Sequence, residues 1–281
     1  MFFSLFKKII KPLQGMGLRY QFPFVDKAYR LLLSKIRPEY AEVNGIKIFL
    51  DSKDSMEFSM RSFEPGVTRI FRERIRPGMV FVDIGAHIGY YTLLTSKLVG
   101  PDGFVFAFEP NPDNGALLEK SIKVNEFKNI KLTKKALAQN TGKTNFFMSG
   151  VSNDSRCYFV GEGRKSIEVE TISLDDFFKG TGQNVDFIKM DVDGFEFSVL
   201  RGAEETISNS KKLMFITEFC PEYLTKAGED PREYFSYLEK LGFDILLIDD
   251  KNGNLKRTSI EELLACSSNF SHNLFCVKGN N

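Results

Sequence analysis

The sequence predicts an α/β domain built on a doubly wound, mostly parallel sheet that ends in an antiparallel strand. Three observations predict it. Short apolar runs without polar alternation recur from Met79 onward, the pattern of parallel strands covered on both faces. Each run is followed by a stretch of helical character, which implies strand–helix repeats. The last two runs, 243–248 and 273–277, are joined by a hairpin-like excursion through Asn252-Gly253 rather than by a crossover. With 281 residues, 42% hydrophobic and 27% charged, the chain can bury a sizeable core, as one domain with an appended segment or as two small domains.

The elements follow in order. Residues 1–75 read as a small N-terminal α+β cap on the substrate side, and residues 76–281 as the main domain. In the cap, Leu31-Leu32-Leu33 and Ile36 suggest a helix ending before Pro38. Ile46, Ile48 and Leu50 alternate as a strand after the Asn44-Gly45 turn. Residues 58–71 mix apolar positions with Pro65-Gly66 and then resume a helical pattern. In the main domain, Met79–Asp83 is a strand after the Pro77-Gly78 turn, and a helix over about Tyr90–Leu98 stops at Gly100-Pro101. Phe104–Phe108 is the second strand and Leu117–Val124 lies in a helix. Ile130, Leu132 and Ala136 mark a third strand. Residues 139–170 break the rhythm as a hairpin-like excursion carrying a polar loop near 149–165, of the kind that often covers a site. Val185–Asp191 and Leu213–Glu218 are the fourth and fifth strands, and a helix over about Arg232–Leu241 leads to the final pair.

Bulk properties narrow the function. A formal net charge of +1 shows no commitment to nucleic acid, which requires a clear basic excess. The cysteines (157, 220, 266, 276) form no Cys-x-x-Cys pair and only His87 and His272 accompany them, so a structural zinc site is not expected. Scattered cysteines without a secretory signal suggest reduced thiols and a cytoplasmic location. Residues 1–12 contain no apolar run near the ~20 residues that span a bilayer, and lysines interrupt them too early for a signal-peptide core. They read either as a short basic amphipathic helix giving weak membrane-surface contact or as an ordinary helix packing its Phe and Ile face on the domain; we favour the second.

Chemistry concentrates in three motifs. Asp83-Ile84-Gly85-Ala86-His87-Ile88-Gly89-Tyr90 follows the first strand and opens a helix. Its glycines permit tight turns and close approach of backbone to a ligand. A dinucleotide would place pyrophosphate at that helix start, where Asp83 repels it. A sulfonium ligand with an amino group is positively charged, which an acidic loop suits. Glu109 ends the second strand and can accept hydrogen bonds from both hydroxyls of a ribose; a helix-capping acid ahead of Pro110 and Asn111 is the other reading. The two motifs together point to an adenosine-containing ligand held by Asp83, Gly85, Ala86, His87, Gly89, Tyr90, Glu109, Pro110 and Asn111. The third motif, Lys189-Met190-Asp191-Val192-Asp193-Gly194-Phe195-Glu196, lies at the ligand-facing edge of the fourth strand. Its acids can orient a substrate hydroxyl, act as a base or meet a divalent cation; Glu196 is equally a first-turn acid favoured by a helix dipole. No metal set is assigned.

At these motifs the sequence resembles the FkbM family of methyltransferases. The carrying residues are Phe81–Leu93, Val105–Pro112, Ile188–Gly194 with Val199-Leu200-Arg201-Gly202-Ala203, and Thr171–Asp176. The resemblance covers roughly residues 79–245. It implies a class I methyltransferase (Rossmann-like) fold whose seventh strand is antiparallel beside the sixth. It also implies S-adenosylmethionine as cofactor and methyl transfer to oxygen, often on a sugar or other small natural product. His87 stands where the family commonly has Asn, and Asp193 where it commonly has Glu, one methylene longer. An alcohol acceptor must lose a proton, so a base helps; His87, Asp191 and Asp193 are the candidates. Two rivals are weighed. A nicotinamide-dependent oxidoreductase is opposed by Asp83 and the terminal antiparallel strand, and a non-catalytic binding module by the complete donor motifs.

Overall fold

The computed structural model describes residues 38–50, 63–148, 165–266 and 271–279. The basic stretch 1–12, the helix ahead of Pro38, Cys157 and all but the end of the 149–165 loop lie outside them. The chain divides into two compact units, residues 1–41 and 42–281; the second holds the sheet and its helices. Strands β1 (Tyr40–Val43) and β2 (Ile46–Phe49) form a two-stranded sheet. Asn44 and Gly45 turn between them with φ of 53° and 74°, the doubly left-handed turn that suits Asn-Gly.

The central sheet has eight strands: β3 (Val80–Ile84), β4 (Phe104–Phe108), β5 (Ile130–Thr133), β9 (Phe187–Met190), β10 (Met214–Phe219), β11 (Phe243–Ile248), β12 (Leu255–Arg257) and β13 (His272–Lys278). Their order is β12-β11-β13-β10-β9-β3-β4-β5. Neighbours from β10 through β5 are all parallel. β13 enters antiparallel to both β10 and β11, as the apolar pair at the end of the sequence foretells. Val82, Phe81, Phe187, Ile188 and Met190 are at most 2% exposed, which explains why these strands read as unbroken apolar runs.

The described helices are α1 (Pro65–Arg74), α2 (Tyr90–Val99), α3 (Pro112–Val124), α4 (Leu174–Phe178), α5 (Glu196–Arg201), α6 (Glu204–Asn209), α7 (Pro221–Lys226), α8 (Pro231–Lys240) and α9 (Ile260–Ala265); α1, α2, α3 and α8 lie where the sequence pattern places helices. Ser173, Asp230 and Ser259 cap their helices with side-chain oxygens. Phe71 of α1 meets Phe81 at 5.5 Å and Phe187 at 5.1 Å between ring centroids, so phenylalanine does much of the packing in this tryptophan-free core.

One expected strand is divided in two. Ile130 and Leu132 lie in β5, but Ala136 belongs to β6 (Ala136–Leu137), in a separate three-stranded sheet with β8 (Lys165–Ile172) and β7 (Gly142–Met148). Thr133, Lys134 and Lys135 offer no buried side chain between them, so the chain leaves the main sheet there. Ala136 then packs with Phe146 and Val169 in a small second core. The excursion at 139–170 is this sheet's β7–β8 hairpin.

Candidate active site

The carboxyl ends of β3, β4, β9 and β10 open into a cavity of about 340 Å³, the edge where open α/β sheets hold ligands. All three motifs meet there. Asp83, Gly85, Ala86, His87 and Tyr90 line it from the loop after β3, and Glu109, Pro110 and Asn114 from the turn after β4. Asp191, Asp193 and Phe195 line it from the loop after β9. Phe63, Ala136, Leu137, Phe146 and Tyr223 complete the walls, and Glu218 reaches in from β10.

Packing by itself requires both glycines of the first loop. Gly85 has φ of 80°, and a Cβ there would sit 2.0 Å from the carbonyl oxygen of Asp191. The exits of β3 and β9 touch only because no side chain stands between them. Gly89, with φ of 95°, would place a Cβ 2.2 Å from Leu118 Cδ1 on α3, and it does not line the cavity. Gly85 and Ala86 donate their N–H groups to the Phe108 carbonyl at 3.1 and 3.0 Å, tying the loop to the end of β4. His87 is half-buried in the left-handed region, φ 52°.

Glu109 is the centre of the second motif. Its Oε2 accepts the His87 N–H at 2.7 Å and its Oε1 the Asn111 N–H at 2.8 Å. Burial pushes its pKa up to about 7, against the pull of those donors. The capping reading is excluded, because Asn111 caps α3: its Oδ1 accepts from Asp113 N at 2.9 Å and Asn114 N at 3.4 Å. Asn111 is therefore committed to the helix and lies behind the lining.

Asp83 and Lys189 are register partners on adjacent strands. Asp83 is 2% exposed; its Oδ2 accepts from Thr92 Oγ1 at 2.5 Å. Burial lifts its pKa to about 6, with Lys189 and Thr92 opposing. The buried Lys189 donates to Asp191 Oδ2 at 2.9 Å and lies 4.9 Å from the centroid of the Tyr91 ring. Burial works against its charge, but Asp191, Glu64 and Asp83 outweigh that and hold its pKa up. Tyr91 Oη donates to Glu64 Oε2 at 2.7 Å, so a single ammonium balances three surrounding carboxylates.

The third motif separates its acids. Asp193 and Gly194 take left-handed φ of 53° and 99°, curling the loop so that Asp191 and Asp193 both line the cavity. Glu196 turns inward instead. It accepts Val192 N at 3.0 Å and Gly194 N at 2.8 Å, and burial followed by repulsion from Glu218 pushes its pKa to about 8. It closes the loop rather than facing the cavity. Among the described residues no group of three His, Cys, Asp or Glu is placed to hold a metal ion.

Glu218 lies outside the three motifs, and nothing local in the third motif assigns Lys189 a role, yet both line the cavity. Burial, with Asp191 and Asp193 close by, pushes the Glu218 pKa to about 8. It carries the same signal that exposes Asp83, Glu109 and Asp191, an acid at or near the end of an apolar strand.

The family described as the methyltransferase FkbM domain matches residues 83–245, more than half of the chain. The chain belongs to the FkbM methyltransferase family. It is an S-adenosylmethionine-dependent methyltransferase with a Rossmann-like fold. The chain is 24% identical to the 2-O-methyltransferase NoeI of Sinorhizobium fredii, over 60% of this chain and 79% of that protein. Among solved structures it is similar to a SAM-dependent methyltransferase from Aquifex aeolicus, with 15% identity, a TM-score of 0.44 and coverage of 80% and 94% of the two chains. It is also similar to Aeropyrum pernix fibrillarin with natively bound S-adenosyl-L-methionine, with 12% identity, a TM-score of 0.42 and coverage of 73% and 68%. No described helix of this FkbM methyltransferase is long and apolar enough to cross a membrane.

Proposed function

We propose that this methyltransferase transfers its methyl group to a hydroxyl oxygen of a sugar, glycan or similar small molecule. The observation that carries this reading is the pair Asp191 and Asp193 on the cavity wall, across the sheet edge from the Glu109 side. Carboxylates accept hydrogen bonds from hydroxyl donors and can take their protons. The name of the relative NoeI, a 2-O-methyltransferase, agrees with an oxygen acceptor.

The lining fits the cofactor. Its carboxylates at 83, 109, 191, 193 and 218 outnumber the one lysine, 189, which suits a cationic ligand. Asn114 is part of that lining, and its buried Oδ1 has no hydrogen-bond partner within the protein. When bound, S-adenosylmethionine supplies a methyl group made electrophilic by its sulfonium. Glu109 would hold the ribose, and Asp83, Gly85, Ala86, His87, Tyr90 and Pro110, which line the same cavity, would shape the rest of the donor side. Gly89 and Asn111 act from behind it, through α3. His87 is a wall of that side, and its backbone N–H steadies Glu109.

On the acceptor side, the Lys189 contact fixes Asp191 Oδ2 and leaves its other oxygen to orient the acceptor hydroxyl. Asp193 would take the hydroxyl proton as the acceptor oxygen gains the methyl group and the methyl–sulfur bond breaks, leaving the neutral thioether S-adenosylhomocysteine. Alignment at near-attack distance is the larger contribution. The segment ahead of residue 75 contributes to the acceptor side, since Phe63 is part of the cavity wall.

Mass spectrometry of glycans and lipids from cells with and without the gene tests the acceptor. We expect one methyl ether to disappear; a lost methyl on nitrogen or nucleic acid would reject the proposal. Asp191→Asn and Asp193→Asn are each expected to lower turnover with S-adenosylhomocysteine binding intact, and unchanged turnover in both removes the acceptor role.

A further inference from the structure

A carboxylate presents about four lone-pair sites for hydrogen bonds. In Glu109 two are taken inside the protein by the N–H groups of His87 and Asn111, and the Asn114 side chain also favours its charged form. A carboxylate only accepts, so Asn114 must offer its Nδ2 to Glu109, and its Oδ1 faces elsewhere. That oxygen is buried and unpartnered within the protein, in a residue that lines the cavity and is 2% exposed. A buried acceptor without a donor is costly, and native proteins rarely keep one without a use. A ribose diol brings two protons, and the Asn114 side chain already competes for the lone pairs that the backbone donors leave on Glu109.

We infer that Glu109 and Asn114 divide the ribose diol of the cofactor between them, one hydroxyl donating to the Glu109 carboxylate and the other to Asn114 Oδ1. Asn114 is thus a cofactor-reading residue, although the motif around Glu109 does not announce it. The amide at 114 works in two directions, since its Nδ2 steadies the acid while its Oδ1 meets the second hydroxyl. An adenine amino group is too distant from the diol to share a partner this close to Glu109. The inference rests on the reading of Glu109 as the ribose-facing acid.

Calorimetric titration with S-adenosylhomocysteine and its 2′-deoxy and 3′-deoxy analogues tests it, on the wild type and on Asn114→Leu. In the wild type each deoxy analogue is expected to bind about tenfold more weakly than the parent, the worth of one hydrogen bond. Asn114→Leu should lose about tenfold or more for the parent, yet bind one deoxy analogue no worse than the parent, because the partner of that hydroxyl is already gone. The inference is overturned if either hydroxyl can be removed from the wild-type ligand without loss. It is also overturned if Asn114→Leu weakens all three ligands by one common factor. The wild-type titrations can overturn the inference even if the variant does not fold, and Asn114→Ala, a smaller change, then carries the comparison of the three ligands. Failure of the parent to bind the wild type would remove the cofactor reading along with this one, whereas the other two outcomes remove this one alone.

Discussion

Replacing Thr92 by valine keeps the shape of the side chain and removes one donor to a buried acid. Thr92 Oγ1 lies 2.5 Å from Asp83 Oδ2, and both residues are at most 2% exposed. A hydrogen bond to a charged group contributes about 1.5–3 kcal/mol and one to a neutral group about 0.5–1.5 kcal/mol. Asp83 titrates at about 6 in the folded protein, above its ordinary value of 3.8. A raised carboxyl pKa means that its stabilising contribution is complete below the unfolded value and lost as pH rises through the folded one. Removing the Thr92 donor raises the folded pKa further, so the wild type and the variant should diverge as pH climbs past 6. The variant is expected to lose about 1 kcal/mol more at pH 8 than at pH 5, which corresponds to a further rise of about one pKa unit. Urea unfolding of both proteins at the two pH values, followed by circular dichroism, measures the difference. An equal loss at both, or a larger loss at pH 5, would refute the claim that Thr92 supports an ionised Asp83.

Three further outcomes are expected. Glu218→Gln removes a carboxyl whose pKa is raised from 4.5 to about 8; the wild type gives up that group's contribution progressively between those values, so thermal melts should show the variant's relative gain in full at pH 9.5 and least of it at pH 4. Gly85→Ala should lose more than Gly89→Ala in urea titrations. Both alanines pay about 1–2 kcal/mol for a left-handed φ, but the first meets the Asp191 backbone and the second a movable Leu118 methyl; equal losses would place the loop's rigidity elsewhere. Affinity for S-adenosylhomocysteine should rise between pH 6 and pH 8 as Glu109, titrating at about 7, becomes ionised, and a flat calorimetric profile over that range would count against its role as an acceptor from the ribose.

The sequence by itself determined the parallel strands, the turn at Asn44-Gly45 and the antiparallel entry of β13. These depend on local periodicity, turn chemistry and the length of apolar runs, all of which are written in neighbouring residues. It also placed Asp83, Glu109 and Asp191 on one edge, because an acid that terminates a parallel strand has nowhere else to face. Only the tertiary structure decided what those acids meet. The pairing of Asp83 with Lys189 comes from the register between β3 and β9, which is set by packing between distant segments and has no local signature. The same holds for the contact of Gly85 with the Asp191 carbonyl and of Gly89 with Leu118: the spacing marked both glycines, and the fold gave the reason. The break between β5 and β6 escaped the pattern because Ala136 is equally apolar in either sheet. Glu109 and Asn111 are both acceptable caps on paper; the backbone path after β4 gave the helix to Asn111 and left the acid to the cavity.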